Sequence, residues 1–349
     1  MEYSMNDRRQ DYNPSDVAQV NGNLYGLPFD RDTANLIIIG VPWEVTVSYG
    51  AGTANAPQRI LAASPQLDLF DFDNPDGWKS GIFMEEISAD ILHKNQHYRA
   101  LAAKIIYRLE EGKKLTDTPD LSPILPEINR VCADINDWLR DRCLQAIDRG
   151  KRVGVIGGDH SVPLGYFQAL ATKYNDFGIL HIDAHADLRN AYEGFEFSHA
   201  SIMFNALKIP QISKLIQVGL RDICQDEVDI INQSASRVVA YYDTAVKQKL
   251  YGGTTWLDIC KEIVDRLPEY VHISFDADGL DPKLCPNTGT PVAGGLELEE
   301  TICLFRELVN SGRKIIGFDL CEVGDGEWDG NVGARIVYKL ANFLDLSHQ

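Results

Sequence analysis

Residues 178–187 read Gly-Ile-Leu-His-Ile-Asp-Ala-His-Ala-Asp. Ile179 to Ile182 is a short apolar run of the kind a fully buried strand uses. Directly beyond it stand Asp183, His185 and Asp187, at i, i+2 and i+4. In extended chain that spacing sends all three to one side. Two carboxylates flanking an imidazole suit a borderline divalent cation such as Mn²⁺, which takes both oxygen and nitrogen. A polar strand end with acids there by chance reads the same in isolation, so the rest of the chain must decide. His181 lies on the same alternation one step deeper, and reads as a hydrogen-bonded core histidine rather than a ligand.

Outward from this stretch, apolar runs predict further strands at Leu36–Val41, Arg152–Ile156, Leu215–Val218, Val238–Tyr242, Val271–Phe275 and Lys314–Phe318. Helical periodicity falls near 57–63, 98–111, 126–148, 163–174, 200–207, 226–234, 256–266, 298–311 and 332–344. The alternation predicts an α/β fold: one domain over 35–349, three layers (α/β/α), with a mainly parallel central sheet. In such folds active groups collect beyond the carboxyl ends of the strands. Residues 1–34 are polar and broken by Pro14, Gly22, Gly26 and Pro28, which predicts an arm lying on the surface or on a neighbouring subunit. Residues 65–97 are acidic and irregular and read as solvated surface.

A formal charge of −18 over 349 residues argues against nucleic acid or an anionic membrane as partner. Seven scattered cysteines, without a C-x-x-C pair, suit free thiols in a reducing compartment. No run of about 18 apolar residues is present, which excludes a helical membrane span. The first ten residues lack the apolar centre of a signal peptide, and the expected location is the cytoplasm.

The ligand-type residues sit at three predicted strand ends. Gly157-Gly158-Asp159-His160-Ser161 follows the strand at 152–156, and its glycines allow the tight turn that presents His160. Asp183, His185 and Asp187 follow the second strand, and Asp276 and Asp278 share a face after the third. Six ligands at three strand ends suffice for two metals with bridging carboxylates, and a pair of ions ~3.5–4 Å apart is a common source of hydroxide near neutral pH.

These blocks, with Ser274-Phe275-Asp276-Ala277-Asp278-Gly279-Leu280-Asp281-Pro282 in full, resemble the signatures of the ureohydrolase family of arginases, agmatinases and other guanidino hydrolases. Pro286-Asn287-Thr288-Gly289-Thr290-Pro291 with Gly294-Gly295 is similar to the agmatinase-type version, and Asp319-Leu320-Cys321-Glu322-Val323 to the family's last block. With Gly40-Val41-Pro42, the similarity spans about residues 35–345. It implies two Mn²⁺ per chain, although Ni²⁺ or Co²⁺ would be accepted by the same ligands. One ion would take His160, Asp183, Asp187 and Asp276, the other Asp183, His185, Asp276 and Asp278. It further implies metal-bridging hydroxide attack on the guanidinium carbon of an agmatine-like substrate, giving urea and an amine. Glu322 would hold the guanidinium, His199 would shuttle a proton to the amine, Asp159 and Asp281 would support the ligands, and the chain would assemble as a trimer or hexamer.

Departures from the arginase pattern bear on the substrate. The run Asn190–Glu196 carries Glu193 and Glu196 where arginases hold a carboxylate, and Cys224 stands where they place an acid for the α-ammonium. The segment after Glu322, with Asp325, Glu327 and Asp329, is also acidic. These features point to a small guanidino cation, agmatine first, with free guanidine, a guanidino acid or arginine as alternatives. More remote readings are a single-metal deacetylase-like amidohydrolase, a dinuclear phosphoesterase and an inactive binding relative.

Overall fold

The computed structural model describes residues 12–349 apart from 118, 120 and 122. Its strands are β1 (Leu36–Gly40), β2 (Ile82–Met84), β3 (Arg152–Ile156), β4 (Phe177–Ile182), β5 (Ile212–Leu220), β6 (Val238–Tyr242), β7 (Tyr270–Asp276) and β8 (Lys314–Cys321). They form one sheet in the order β2-β1-β3-β8-β7-β4-β5-β6, with every neighbouring pair parallel.

Both faces of this sheet are covered, which is why its strands read as unbroken apolar runs rather than alternating ones. Within β1, Leu36 and Ile38 pack into one core while Ile37 and Ile39 pack into the other, the period-two alternation of extended chain. The first core is closed by α1 (Ala56–Ala63), α8 (Trp256–Val264), α9 (Leu298–Asn310) and α10 (Glu327–Leu346), through Ile60, Ile263, Phe305 and Leu340. The second is closed by α2 (Ala89–Glu110), α3 (Ile124–Ile147), α4 (Leu164–Ala171) and α5 (Ile202–Ala206), through Ile105, Leu139, Phe167 and Met203. Two further helices, α6 (Gln225–Gln233) and α7 (Asp243–Tyr251), flank β6. Among the described residues no helix is long and apolar enough to cross a membrane.

Three elements depart from the sequence expectation. Strand β2 lies inside the stretch read as irregular surface; it has three residues, too few to display a period, and is held by parallel pairing with β1. Helix α2 starts nine residues before the expected 98, at the N-cap Ser88, whose hydroxyl accepts from the Ile91 N–H. Its first turns are mostly polar, with His93, Lys94, Gln96 and His97, so the apolar stripe fades there. Helix α7 follows β6 without a break and buries only Asp243 and Val246, which leaves almost no stripe to read.

The first eleven residues of the expected arm lie outside the described residues. Within its remainder, Leu24, Tyr25 and Leu27 are buried in the first core. Asn23 clips this segment to β2: its amide donates to the Leu27 and Ile82 carbonyls, and its Oδ1 accepts from the N–H groups of Leu24 and Met84.

The site follows from the strand order. Strands β3, β8, β7 and β4 are consecutive neighbours at the middle of the sheet, and their carboxyl ends open on the same side. Chain segments far apart in sequence thus deliver Gly157–His160, Glu322, Asp276–Asp278 and Asp183–Asp187 to one crevice.

Candidate metal centre and substrate pocket

At the end of β4, Asp183 divides its carboxylate between two groups of ligands. Its Oδ2 lies 3.1 Å from His160 Nδ1, which is also 3.0 Å from Asp276 Oδ2 and 3.5 Å from Asp187 Oδ2. Its Oδ1 lies 3.5 Å from His185 Nδ1, which is 3.0 Å from Asp278 Oδ2. The six ligand-type residues of the three strand ends therefore converge on two adjoining lobes. All but the half-buried His185 are buried.

Local backbone fixes these orientations. Asp183 Oδ1 accepts the His185 N–H, Asp276 Oδ1 accepts the Asp278 N–H and Asp278 Oδ1 accepts the Ala184 N–H. Each of these three carboxylates thus ties down a neighbour's main chain and keeps an oxygen for the centre. Asp187 and Glu322 both adopt left-handed backbone, with φ of 54° and 60°. Such conformations cost of order 1–3 kcal/mol and persist where surrounding bonds impose them. Here the Asp187 carbonyl accepts from the Met203 and Phe204 N–H groups, and the Glu322 N–H donates to the Gly158 carbonyl.

Behind the ligands lies a relay that the sequence did not reveal. His160 Nε2 is 3.0 Å from Ser274 Oγ, whose hydroxyl donates to Asp319 Oδ1 at 3.0 Å, and His272 Nε2 stands 2.6 Å from Asp319 Oδ2. The relay turns His160 Nδ1 towards the carboxylates. His181, the core histidine, is 2.8 Å by Nε2 from Asp183 Oδ2, while the Gln217 amide donates to its Nδ1 and to the Ala186 carbonyl. That arrangement leaves the His181 proton on Nε2, facing Asp183.

The electrostatics call for a cation. Burial, then the neighbouring charge of Asp183 or Asp278, pushes the carboxyls of Asp187 and Asp276 well above the usual carboxylate range. Glu322 is raised in the same way, by burial and then Asp276. Burial opposes a charge on His185, but Asp278 and Asp183 overcome it and hold the ring protonated up to about 12. Among the described residues the four ligand carboxylates pair only with histidines, never with Lys or Arg. This mixed oxygen and nitrogen donor set, rich in negative charge, fits divalent transition metal ions.

A cavity of about 160 Å³ opens above the cluster. Glu322 lines its buried side: Oε1 accepts the His160 N–H at 3.0 Å, while Oε2 is buried without a hydrogen-bond partner. Gly289 packs here because a Cβ at that position would stand 2.8 Å from Glu322 Oε2. His199 lines the cavity too, its main-chain N–H 3.3 Å from Thr46 Oγ1 and its ring edge-on to Tyr192. Burial and then the charge of His185 lower His199 to about 4.

The acids expected at the mouth are elsewhere. Of the run Asn190–Glu196 only Tyr192 lines the cavity; Glu193 lies among the charges of Glu110, Arg99 and Arg189, and Glu196 borders a separate hollow. After Glu322, Asp325 pairs with Arg59, and Asp329 accepts from Cys285 and Asn287. The lining instead includes Arg189, Asp222 and Glu227. Glu193 and Glu196 therefore do not line the cavity to repel a substrate carboxylate. Asp159 lies behind His160, bonded to Ser161 and Thr46, and Asp281 caps the turn at Lys283.

The Arginase family model matches residues 34–340. The chain is 29% identical over 315 residues to the N(1)-aminopropylagmatine ureohydrolase of Thermus thermophilus, covering 88% of this chain and 91% of that protein. It is 30% identical over 312 residues to the protein of the same name from Thermococcus kodakarensis, covering 89% and 90%. In structure it resembles the agmatine ureohydrolase of Thermoplasma volcanium, with a TM-score of 0.71, 21% identity and 98% of both chains covered.

Proposed function

The chain belongs to the arginase family, and from that premise we propose that it hydrolyses a guanidino compound to urea and an amine at a centre of two divalent ions, with Mn²⁺ the first candidate. The observation that carries this reading is Glu322: a buried carboxylate oxygen without a partner, on the wall of a small cavity that is also lined by Asp187, Asp276, Asp278, His160 and His185. A planar guanidinium offers the paired N–H donors that such an oxygen lacks.

One ion would be held by His160, Asp183, Asp187 and Asp276, the other by Asp183, His185, Asp276 and Asp278. When bound, the ions would supply an activated water near neutral pH. In balance, water adds to the guanidinium carbon, its oxygen stays in urea, and the C–N bond to the substrate chain breaks as that nitrogen leaves as an ammonium. Glu322 orients the guanidinium, and its own position is set by the His160 N–H on its other oxygen. Ser274 and Asp319 keep His160 turned inward. His199, neutral at neutral pH, starts the cycle able to accept a proton and hand it to the departing amine.

The test is urea release from agmatine, arginine, guanidine, guanidinobutyrate and guanidinopropionate, with metal analysis of the same preparation. Turnover of at least one compound that needs about two ions per chain is the expected result. Full activity in chelator-stripped protein, or no urea from any guanidino compound by the loaded protein, refutes the reading.

A further inference from the structure

Among the described residues Arg189 is the one Lys or Arg lining the cavity, and the reaction above leaves it without a task. It stands two residues beyond Asp187, with its main-chain N–H on the Ala200 carbonyl at 3.0 Å. Its guanidinium carbon lies 4.8 Å from the centre of the Tyr192 ring, a stacked placement that holds the group while using none of its N–H donors. Its nearest acid is Glu227, at 3.9 Å from Nε, beyond hydrogen-bond range. Glu227 is already spent, accepting the Leu188 N–H on one oxygen and the Cys224 N–H on the other.

The charged lining residues lie at different depths, and Asp222 is further out than Glu322, Glu227 or Arg189, with 71% of its side chain exposed. Glu322, 3% exposed, is set aside for the guanidinium. Asp222 stands 4.0 Å from His185 and Glu227 is bound to main chain. Arg189, with 41% of its side chain exposed, is the charged group left with open donors where the far end of a bound substrate emerges. Its planar fork matches a carboxylate and opposes an ammonium.

On the reading of this site as a guanidino hydrolase, we infer that Arg189 determines specificity, selecting guanidino compounds whose far end is a carboxylate over those ending in an amine. This reverses the charge preference that Glu193 and Glu196 suggested in the sequence, because neither acid lines the cavity and Arg189 does.

Guanidinobutyrate and agmatine test this directly, being of similar length with opposite end charges. With the full chain loaded with Mn²⁺, kcat/KM for guanidinobutyrate is expected to exceed that for agmatine by at least about tenfold. Arg189→Ala should cost guanidinobutyrate at least about tenfold, mainly through KM, and Arg189→Lys should recover part of the loss. Arg189→Glu should make agmatine the better of the two. Bound metal and thermal unfolding of each variant exclude a folding defect. If agmatine leads in the natural protein and its lead is unchanged by Arg189→Glu, the inference falls while the hydrolase reading stands. If none of agmatine, arginine, guanidine, guanidinobutyrate and guanidinopropionate yields urea, the hydrolase reading falls. Calorimetric binding of guanidinobutyrate and agmatine to the natural protein and Arg189→Glu then still decides the charge preference, and equal ratios in both overturn it.

Discussion

Replacing Glu322 with glutamine separates binding from stability in a way that tests the site reading sharply. The amide keeps the bond from the His160 N–H to its oxygen, so the local backbone has no reason to move. At the position of the unpartnered Oε2 it places an NH₂, a donor facing the guanidinium's own donors. The loss is one charge-assisted hydrogen bond, ~1.5–3 kcal/mol, together with part of the cost of opposing two donors. A total of about 2–4 kcal/mol lowers kcat/KM roughly 30- to 1,000-fold at 1.36 kcal/mol per tenfold. Stability should move the opposite way in metal-free protein. Burial and Asp276 raise the folded pKa of Glu322. Above the unfolded pKa of about 4.3 the folded state therefore binds more protons, and natural-protein stability falls as pH rises through that window. Glutamine removes this cost, so Glu322→Gln should unfold at higher denaturant than the natural protein at neutral pH, with the gap closing below about pH 4. Urea release and denaturant titrations at several pH values measure both arms. A variant within about threefold of natural kcat/KM would refute the role given to Glu322.

Asp276→Ala removes a carboxylate proposed to touch both ions, and should abolish urea release and lower metal content; two retained ions with near-normal turnover would show the ligand assignment wrong. Ser274→Ala breaks the link between His160 and Asp319, and metal affinity by competition with a chelator should fall about 10- to 100-fold; unchanged affinity would leave the relay without a role in holding metal. As pH drops, protons compete with cations for His160 and His185, which the surrounding carboxylates hold protonated in the metal-free cluster. Urea release should therefore decline from neutral towards pH 5, and a rate that climbs steadily over that range would contradict a metal-dependent reaction.

Much of this was readable in the chain because its signals are local. Seven of the eight strands show as apolar runs, since a parallel sheet covered on both faces leaves no polar alternation to blur them. The i, i+2 spacing of Asp183 with His185, and of Asp276 with Asp278, fixes a shared side as soon as the backbone is extended. Elements without a period of their own escaped: β2 is stabilised by its register with β1, and the first turns of α2 by the Ser88 cap. Glu193 illustrates the other kind of failure. It sits in left-handed backbone, with a φ of 56°, in a loop with no period, so sequence spacing could not say where its side chain points.

The sequence alone determined the strand-end positions of the six ligand-type residues and the alternating α/β rhythm, because both depend on periods of two and 3.6 residues within short windows. Only the tertiary structure decided that β3, β8, β7 and β4 would stand side by side, that Ser274 would join His160 to Asp319, and that Arg189 rather than Glu193 would face the cavity. Those outcomes depend on contacts between segments tens to hundreds of residues apart and on the turn of single loop residues, neither of which leaves a period in the chain.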